Sequence, residues 1–254
     1  MTMNIGVQTF TIRKAQKKSI ERSYLPLINM GIKNYEIARI DFNEENALEI
    51  KSIIDKYGIE VSSIQVKPKY VFGDVKKIVR FCEITGCKNV VISMLPFDCI
   101  LGKEERFYKF VDSLDLQYEI YEKFNITLAY HHHNWEYVTL SNGKTRMEEL
   151  ISRTKKIKFV HDTYWTSKSA LDSALQIAKF GNRLLGVHLR DLSLYKKGLD
   201  VCAKNCAIGD GILDFNRIIS EAKNVSSSYF VIEQKTDDPY KDIEKSYEYL
   251  KRII

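Results

Sequence analysis

The chain has 254 residues, 44% hydrophobic and 28% charged, which is enough apolar material for one large α/β domain and excludes disorder as its main state. Glycine (12) and proline (4) are sparse, so collagen-like and linker-rich sequences are excluded as well. Lys+Arg exceed Asp+Glu by 39 to 33, but the surplus is dispersed through mixed-sign stretches such as Lys241-Asp242-Ile243-Glu244-Lys245. A nucleic-acid binder would concentrate it in a basic stripe with stacking aromatics. Weak attraction to anionic, phosphorylated substrates is compatible with the balance.

Eight short β-branched or apolar runs recur along the chain: Asn4–Thr9, Asn34–Ile37, Val61–Gln65, Asn89–Ser93, Thr127–His131, Ile157–His161, Leu184–His188 and Tyr229–Glu233. Each is followed by a stretch with helical periodicity. Glu44–Tyr57 carries Ala47, Leu48, Ile50, Ile53 and Ile54 on one side and stops at Gly58; Val75–Thr85 stops at Gly86. Glu104–Phe124 places Phe107, Phe110, Val111, Leu114, Tyr118 and Tyr121 at helical spacing, a packing stripe. Eight βα units with nothing left over predict an α/β fold, a (β/α)8 TIM barrel forming one domain over 1–254. A doubly wound sheet is the alternative.

The five cysteines are odd in number and no secretory leader opens the chain, so a reduced, cytoplasmic setting is expected. Cys202 and Cys206 lack a second pair or a nearby histidine and are expected to be loop thiols. No apolar run reaches membrane-spanning length.

In a (β/α)8 barrel the active site lies at the C-terminal ends of the strands. The runs end on Glu36, Gln65, Ser93, His131 with His133, Asp162, His188 and Glu233, so ionisable groups collect at one end. All five histidines fall between His131 and His188. Strand alternation turns Ala129, His131 and His133 to one face and His132 to the other, and separates His161 from Asp162. His132 and His161 are therefore expected to pack. His131, Asp162, His188 and Glu233 offer two imidazoles and two carboxylates, a set suited to Mn²⁺, Co²⁺, Fe²⁺, Zn²⁺ or Mg²⁺. Any one strand-end carboxylate, taken alone, also fits a helix cap or an ion pair.

Several segments resemble one family. Tyr130-His131-His132-His133-Asn134-Trp135-Glu136-Tyr137 is similar to the YHNHDFEF-type segment of xylose isomerase-like sugar isomerase/epimerase barrels. Val187-His188-Leu189-Arg190-Asp191, His161-Asp162-Thr163-Tyr164-Trp165, the Gly209–Asp214 loop, Val231-Ile232-Glu233-Gln234 and the opening Ile5–Arg13 resemble further motifs in the same order. The resemblance spans essentially the whole chain. It implies a divalent-metal barrel, of the superfamily that includes AP endonuclease family 2, acting on sugars, keto-sugars, inositols or their phosphates.

Carried over, Asp162, His188 and Glu233 match three family ligands, while His131 stands where the family usually places a glutamate. The implied chemistry is isomerisation or epimerisation, with the cation holding a carbonyl and an adjacent hydroxyl and stabilising an enediolate. Glu233, Glu136 and His133 are the candidates for proton transfer. Glu36, Gln65, Trp165 and Arg190 are candidates for substrate binding, with Phe10 as a further apolar wall and Arg13 as a second anion contact. The missing glutamate brings an inosose dehydratase-like lyase into competition. An AP endonuclease-like nuclease would call for more metal-binding histidines and acids, and a non-catalytic sugar-binding relative would have no use for four converging ligands. The expected partner is a small sugar or polyol, with no nucleic acid and no membrane, in a homodimer or homotetramer.

Overall fold

Runs such as Val90-Val91-Ile92 and Phe230-Val231-Ile232 are apolar at consecutive positions, as strands covered on both faces must be, and all six residues are buried. In the computed structural model, which describes residues 5–254, these runs belong to a closed parallel barrel. Its strands are β1 (Ile5–Gln8), β2 (Asn34–Ala38), β3 (Glu60–Val66), β4 (Asn89–Ile92), β5 (Thr127–His131), β6 (Lys158–Asp162), β7 (Leu184–Leu189) and β10 (Tyr229–Ile232). Round the barrel they run β1-β10-β7-β6-β5-β4-β3-β2. The fold is thus the expected TIM barrel. The sixth strand starts and ends one residue later than its apolar run, and Asn4 lies outside the described residues.

Helices Glu44–Tyr57 and Val75–Thr85 occupy their predicted ranges. Asn43 caps the first by accepting from Asn46 N at 2.9 Å, and Gly58 ends it in the left-handed region at φ 63°. The third long helix spans Glu104–Glu122. One element escaped the sequence reading. Asp191–Lys197 (β8) and Asp200–Cys206 (β9) form an antiparallel hairpin outside the barrel, so Cys202 and Cys206 lie on a strand and not in a loop. Among the described residues no helix is long and apolar enough to cross a membrane.

The glycines of the Gly209–Asp214 loop have a structural use. Asp191 Oδ2 accepts from Gly209 N and Gly211 N, both at 3.0 Å, and its Oδ1 from Leu192 N at 2.8 Å. A Cβ at Gly211 would lie 2.1 Å from Asp191 Oδ1. Asp214 then caps helix Phe215–Asn224 by accepting from Arg217 N.

Inside the barrel Val91, Ala129, Val160, Leu185, Tyr229 and Val231 form a dry plug beneath the strand ends. Tyr229 fits because its neighbour is a glycine: a Cβ on Gly186 would come within 2.4 Å of the ring. Gly186→Ala is therefore expected to cost about 1–3 kcal/mol of stability through overpacking. Urea unfolding measures it, and an unchanged midpoint would mean that the Tyr229 ring has room to move.

Candidate metal centre

Because side chains alternate along a strand, the inward residue above the plug on each of four neighbouring strands is fixed by register. Those residues are His131 on β5, Asp162 at the end of β6, His188 on β7 and Glu233 just beyond β10. Asp162 pairs in register with His188, and His188 with Val231. One ligand-type atom from each of the four lies within 4.8 Å of the others, and all four residues are buried. His131 Nε2 is 3.5 Å from Asp162 Oδ2, and His188 Nδ1 is 2.8 Å from Glu233 Oε2.

Several of these atoms have no protein hydrogen-bond partner. His131 Nε2, both ring nitrogens of His188, Glu36 Oε1 and Glu233 Oε2 are buried without one, because their short contacts are not aligned for a bond. Buried polar atoms left in this state are costly. Two imidazole nitrogens and a carboxylate oxygen converging beside Asp162 have the chemistry of a divalent-cation site. The residues fit the implied metal.

Arg190 sits against the same carboxylates. Its Nη1 donates to Asp162 Oδ2 at 3.1 Å and Glu233 Oε1 at 3.0 Å, and its Nη2 to Asn205 Oδ1 at 2.8 Å. Thr163 Oγ1 holds its backbone, accepting from Arg190 N at 2.8 Å and donating to Arg190 O at 2.6 Å. Burial alone would raise the Asp162 and Glu233 carboxyls. Arg190, with His131 and His188 beside Asp162 and His188 beside Glu233, outweighs it, leaving Asp162 far below its ordinary range and Glu233 at about 2. Burial opposes charge on His188 too, yet Glu36 and Glu233 on its two sides raise it to about 10. Asp162 has a further duty: its Oδ1 accepts from Trp165 N at 3.0 Å and caps helix Thr163–Lys168.

The other predicted residues divide. Gln65, His133, Trp165 and Arg190 line a cleft of about 1390 Å³ above the cluster, as do Phe10, Ser93, His131 and Glu233. Gln65 Oε1 accepts from Gln8 Nε2 at 3.0 Å, which leaves Gln65 Nε2 without a partner. His133 lies 4.8 Å from the Trp135 ring and 5.2 Å from the Trp165 ring, and burial with the neighbouring His131 holds it neutral.

Two residues are placed elsewhere. Glu36 points inward but one layer too deep to meet a substrate. Its Oε1 lies 2.7 Å from His188 Nε2, and its Oε2 accepts from Ser63 Oγ at 2.5 Å and Tyr229 OH at 2.9 Å. It places a counter-charge under the imidazole instead. Glu136 is outside the cleft altogether. It lies on the short 3₁₀ helix Trp135–Tyr137 and accepts from Tyr130 OH and, at 2.8 Å, from His133 N. Burial raises its carboxyl above the ordinary value. His132 and His161 face outward and are buried as expected, though hydrogen-bonded to each other at 3.2 Å.

Residues 27–253 match the family model described as xylose isomerase-like TIM barrel. No curated protein sequence matches the chain at a significant level. Among solved structures, the chain is similar to a sugar phosphate isomerase/epimerase from Parabacteroides distasonis, at 20% identity and TM-score 0.79, covering 98% of this chain and 94% of that one. It is also similar to the IOLI protein with a bound zinc atom, at 15% identity and TM-score 0.71, covering 99% and 98%. A third is the probable 3-DHS dehydratase AsbF from Bacillus anthracis, at 12% identity and TM-score 0.71, covering 98% and 99%. At these identities the likeness is one of fold.

The guanidinium that joins Asp162 to Glu233 sets the stability of the cluster. Arg190→Met strands two buried carboxylates and is expected to cost about 3–5 kcal/mol, read from urea unfolding of EDTA-treated protein. Arg190→Lys should recover part of the loss. A methionine variant as stable as the parent would mean that the carboxylates are not held by this pair.

Proposed function

Because the chain belongs to the xylose isomerase-like TIM barrel family, we propose that it is a divalent-metal-dependent isomerase or epimerase of a sugar, keto-sugar or sugar phosphate. One observation carries the reading: four ligand-type atoms from four adjacent strands gather within 4.8 Å at the floor of an open cleft. Mn²⁺, Co²⁺, Fe²⁺, Zn²⁺ and Mg²⁺ all accept such a mixed nitrogen and oxygen set. When bound, the cation supplies Lewis acidity toward a carbonyl and orients it with a neighbouring hydroxyl.

The chain's own residues then have separate tasks. His131, Asp162, His188 and Glu233 would hold the ion, with Glu36 as a counter-charge beneath His188. Gln65 Nε2 is a buried donor without a partner, ready for a substrate hydroxyl. Trp165 and Phe10 wall the cleft against the apolar faces of the substrate. Glu233 is the first candidate to take and return a proton at carbon. His133, kept neutral and with Nδ1 unbonded, is the second.

A lyase reading stands beside this one, because β5 brings an imidazole, His131, to the position where the family resemblance expects a glutamate. Only one carboxylate of the cluster, Glu233, lines the cleft wall. Elimination of water needs one base at carbon and an acid at the leaving oxygen, which a carboxylate and an imidazole can divide between them.

Metal content tests the assignment. His188→Ala and Glu233→Ala are each expected to lose bound metal by elemental analysis, while Glu136→Gln keeps it; full retention in the first two would sink the reading. A ketose turned over in D₂O should gain deuterium beside its carbonyl. A dehydrated, ultraviolet-absorbing product would instead select the lyase.

A further inference from the structure

The mouth of the barrel has two unlike arcs. Glu233 just beyond β10, and His188, Asp162 and His131 on β7, β6 and β5, stand on strands that are consecutive round the barrel. Strands β1, β2 and β3 lie in the other arc, and β2 is diametrically across from β6. Beyond the ends of these three strands stand Arg13, Arg39 and Lys67, and Lys235 follows Glu233; all four line the cleft. None has a carboxylate within 4.0 Å among the described residues. Lys77, on the same wall, is by contrast paired with Asp41 at 2.8 Å.

Arg13 and Arg39 converge on one ring. Their guanidinium carbons lie 4.1 and 5.1 Å from the centroid of Phe10. Arg13 also donates to Phe10 O at 2.9 Å, whereas the Arg39 side chain makes no hydrogen bond among the described residues. The backbone carrying Arg39 is fixed: Ala38 N donates to Thr9 Oγ1 at 2.8 Å, and Ala38 O accepts from Thr9 Oγ1 and Gln16 Nε2. Arg39 follows this clamp in the left-handed region, at φ 63°. That conformation is unfavourable for a long side chain, and of the four described non-glycine residues that adopt it only Arg39 lines the cleft.

We propose that Arg13 and Arg39, with Lys67 and Lys235, form a subsite for the phosphoryl group of a phosphorylated keto-sugar or polyol whose opposite end reaches the candidate metal centre. The proposal rests on the isomerase or epimerase reading for that opposite end. Planar guanidinium forks match phosphate oxygens, and four unpaired cations suit a dianion with three terminal oxygens better than a carboxylate with two. Arg190 is not part of the subsite, since its charge is spent on Asp162 and Glu233. Gln65, on β3 with a free donor, lies within the same cleft lining.

Calorimetric titration with inorganic phosphate tests this, using the wild type and the Arg13→Gln/Arg39→Gln double variant, each as purified and after EDTA. The wild type should bind phosphate in both preparations, and the double variant about tenfold or more weakly. Arg13→Lys/Arg39→Lys should recover part of the affinity. No binding by the wild type, equal binding by the glutamine variant, or acetate bound as tightly as phosphate would each overturn the proposal. Metal content is measured on the same samples. Absence of metal with phosphate binding intact would remove the metal reading and leave the subsite standing.

Discussion

Five charged side chains are buried together at the top of this barrel, and their mutual compensation is the constraint on which the rest depends. Glu36, Asp162 and Glu233 bring negative charge; His188 and Arg190 bring positive charge. A lone buried carboxylate costs several kcal/mol, so each must find a counter-charge in place. The barrel supplies those places by register. Below the cluster, Gly186 leaves room for Tyr229, whose hydroxyl, with Ser63, fixes Glu36. Glu36 in turn places its charge 2.7 Å from His188 Nε2. A contact two layers below the cleft thus places the counter-charge of an imidazole on its floor.

A second support reaches the cluster from outside the barrel. His132 Nδ1 lies 3.1 Å from His133 O, which can only accept, so the proton belongs on Nδ1. Nε2 is then free to accept from Asp162 N at 3.1 Å and from His161 Nδ1 at 3.2 Å. Burial lowers the pKa of His132 to about 3 and that of His161 well below its ordinary value, so neither adds charge beside Asp162. The expectation that these two histidines pack was right about their side of the strand. It did not foresee that they hold the backbone of a candidate metal ligand.

The ends of the strands were legible because apolar runs stop where polar residues begin, and alternation sorted His131 and His133 from His132 and His161. Alternation fails once the chain leaves the strand. After His131 it turns toward a 3₁₀ helix, so Glu136 follows no strand parity and is captured by Tyr130 on the outer face. Depth is equally invisible to parity. Glu36 points inward as expected, but β2 continues to Ala38, which sinks Glu36 beneath the cleft and leaves Arg39 at its rim. Nothing in the sequence marks Arg39, since its placement depends on a left-handed backbone and on the clamp at Ala38. The hairpin did leave a signal: Gly198 separates two runs, the first of which opens with the alternation Leu192-Ser193-Leu194.

That hairpin borders the mouth of the barrel. Ala203, Lys204 and Asn205 on β9 line the cleft, while the tip exposes Leu199 completely and Val201 largely. Exposing apolar side chains on a two-stranded ribbon brings no stability of its own. Its contribution lies at the base, where Asn205 Oδ1 accepts from Arg190 Nη2 at 2.8 Å and from Lys235 N at 3.0 Å. Arg190 belongs to the carboxylate cluster, and Lys235, two residues beyond Glu233, carries one of the unpaired cations of the rim. A single amide oxygen therefore sets the spacing between the charge-balanced floor and part of the cationic rim. The residue that sets it, Asn205, comes from the hairpin and not from a barrel strand.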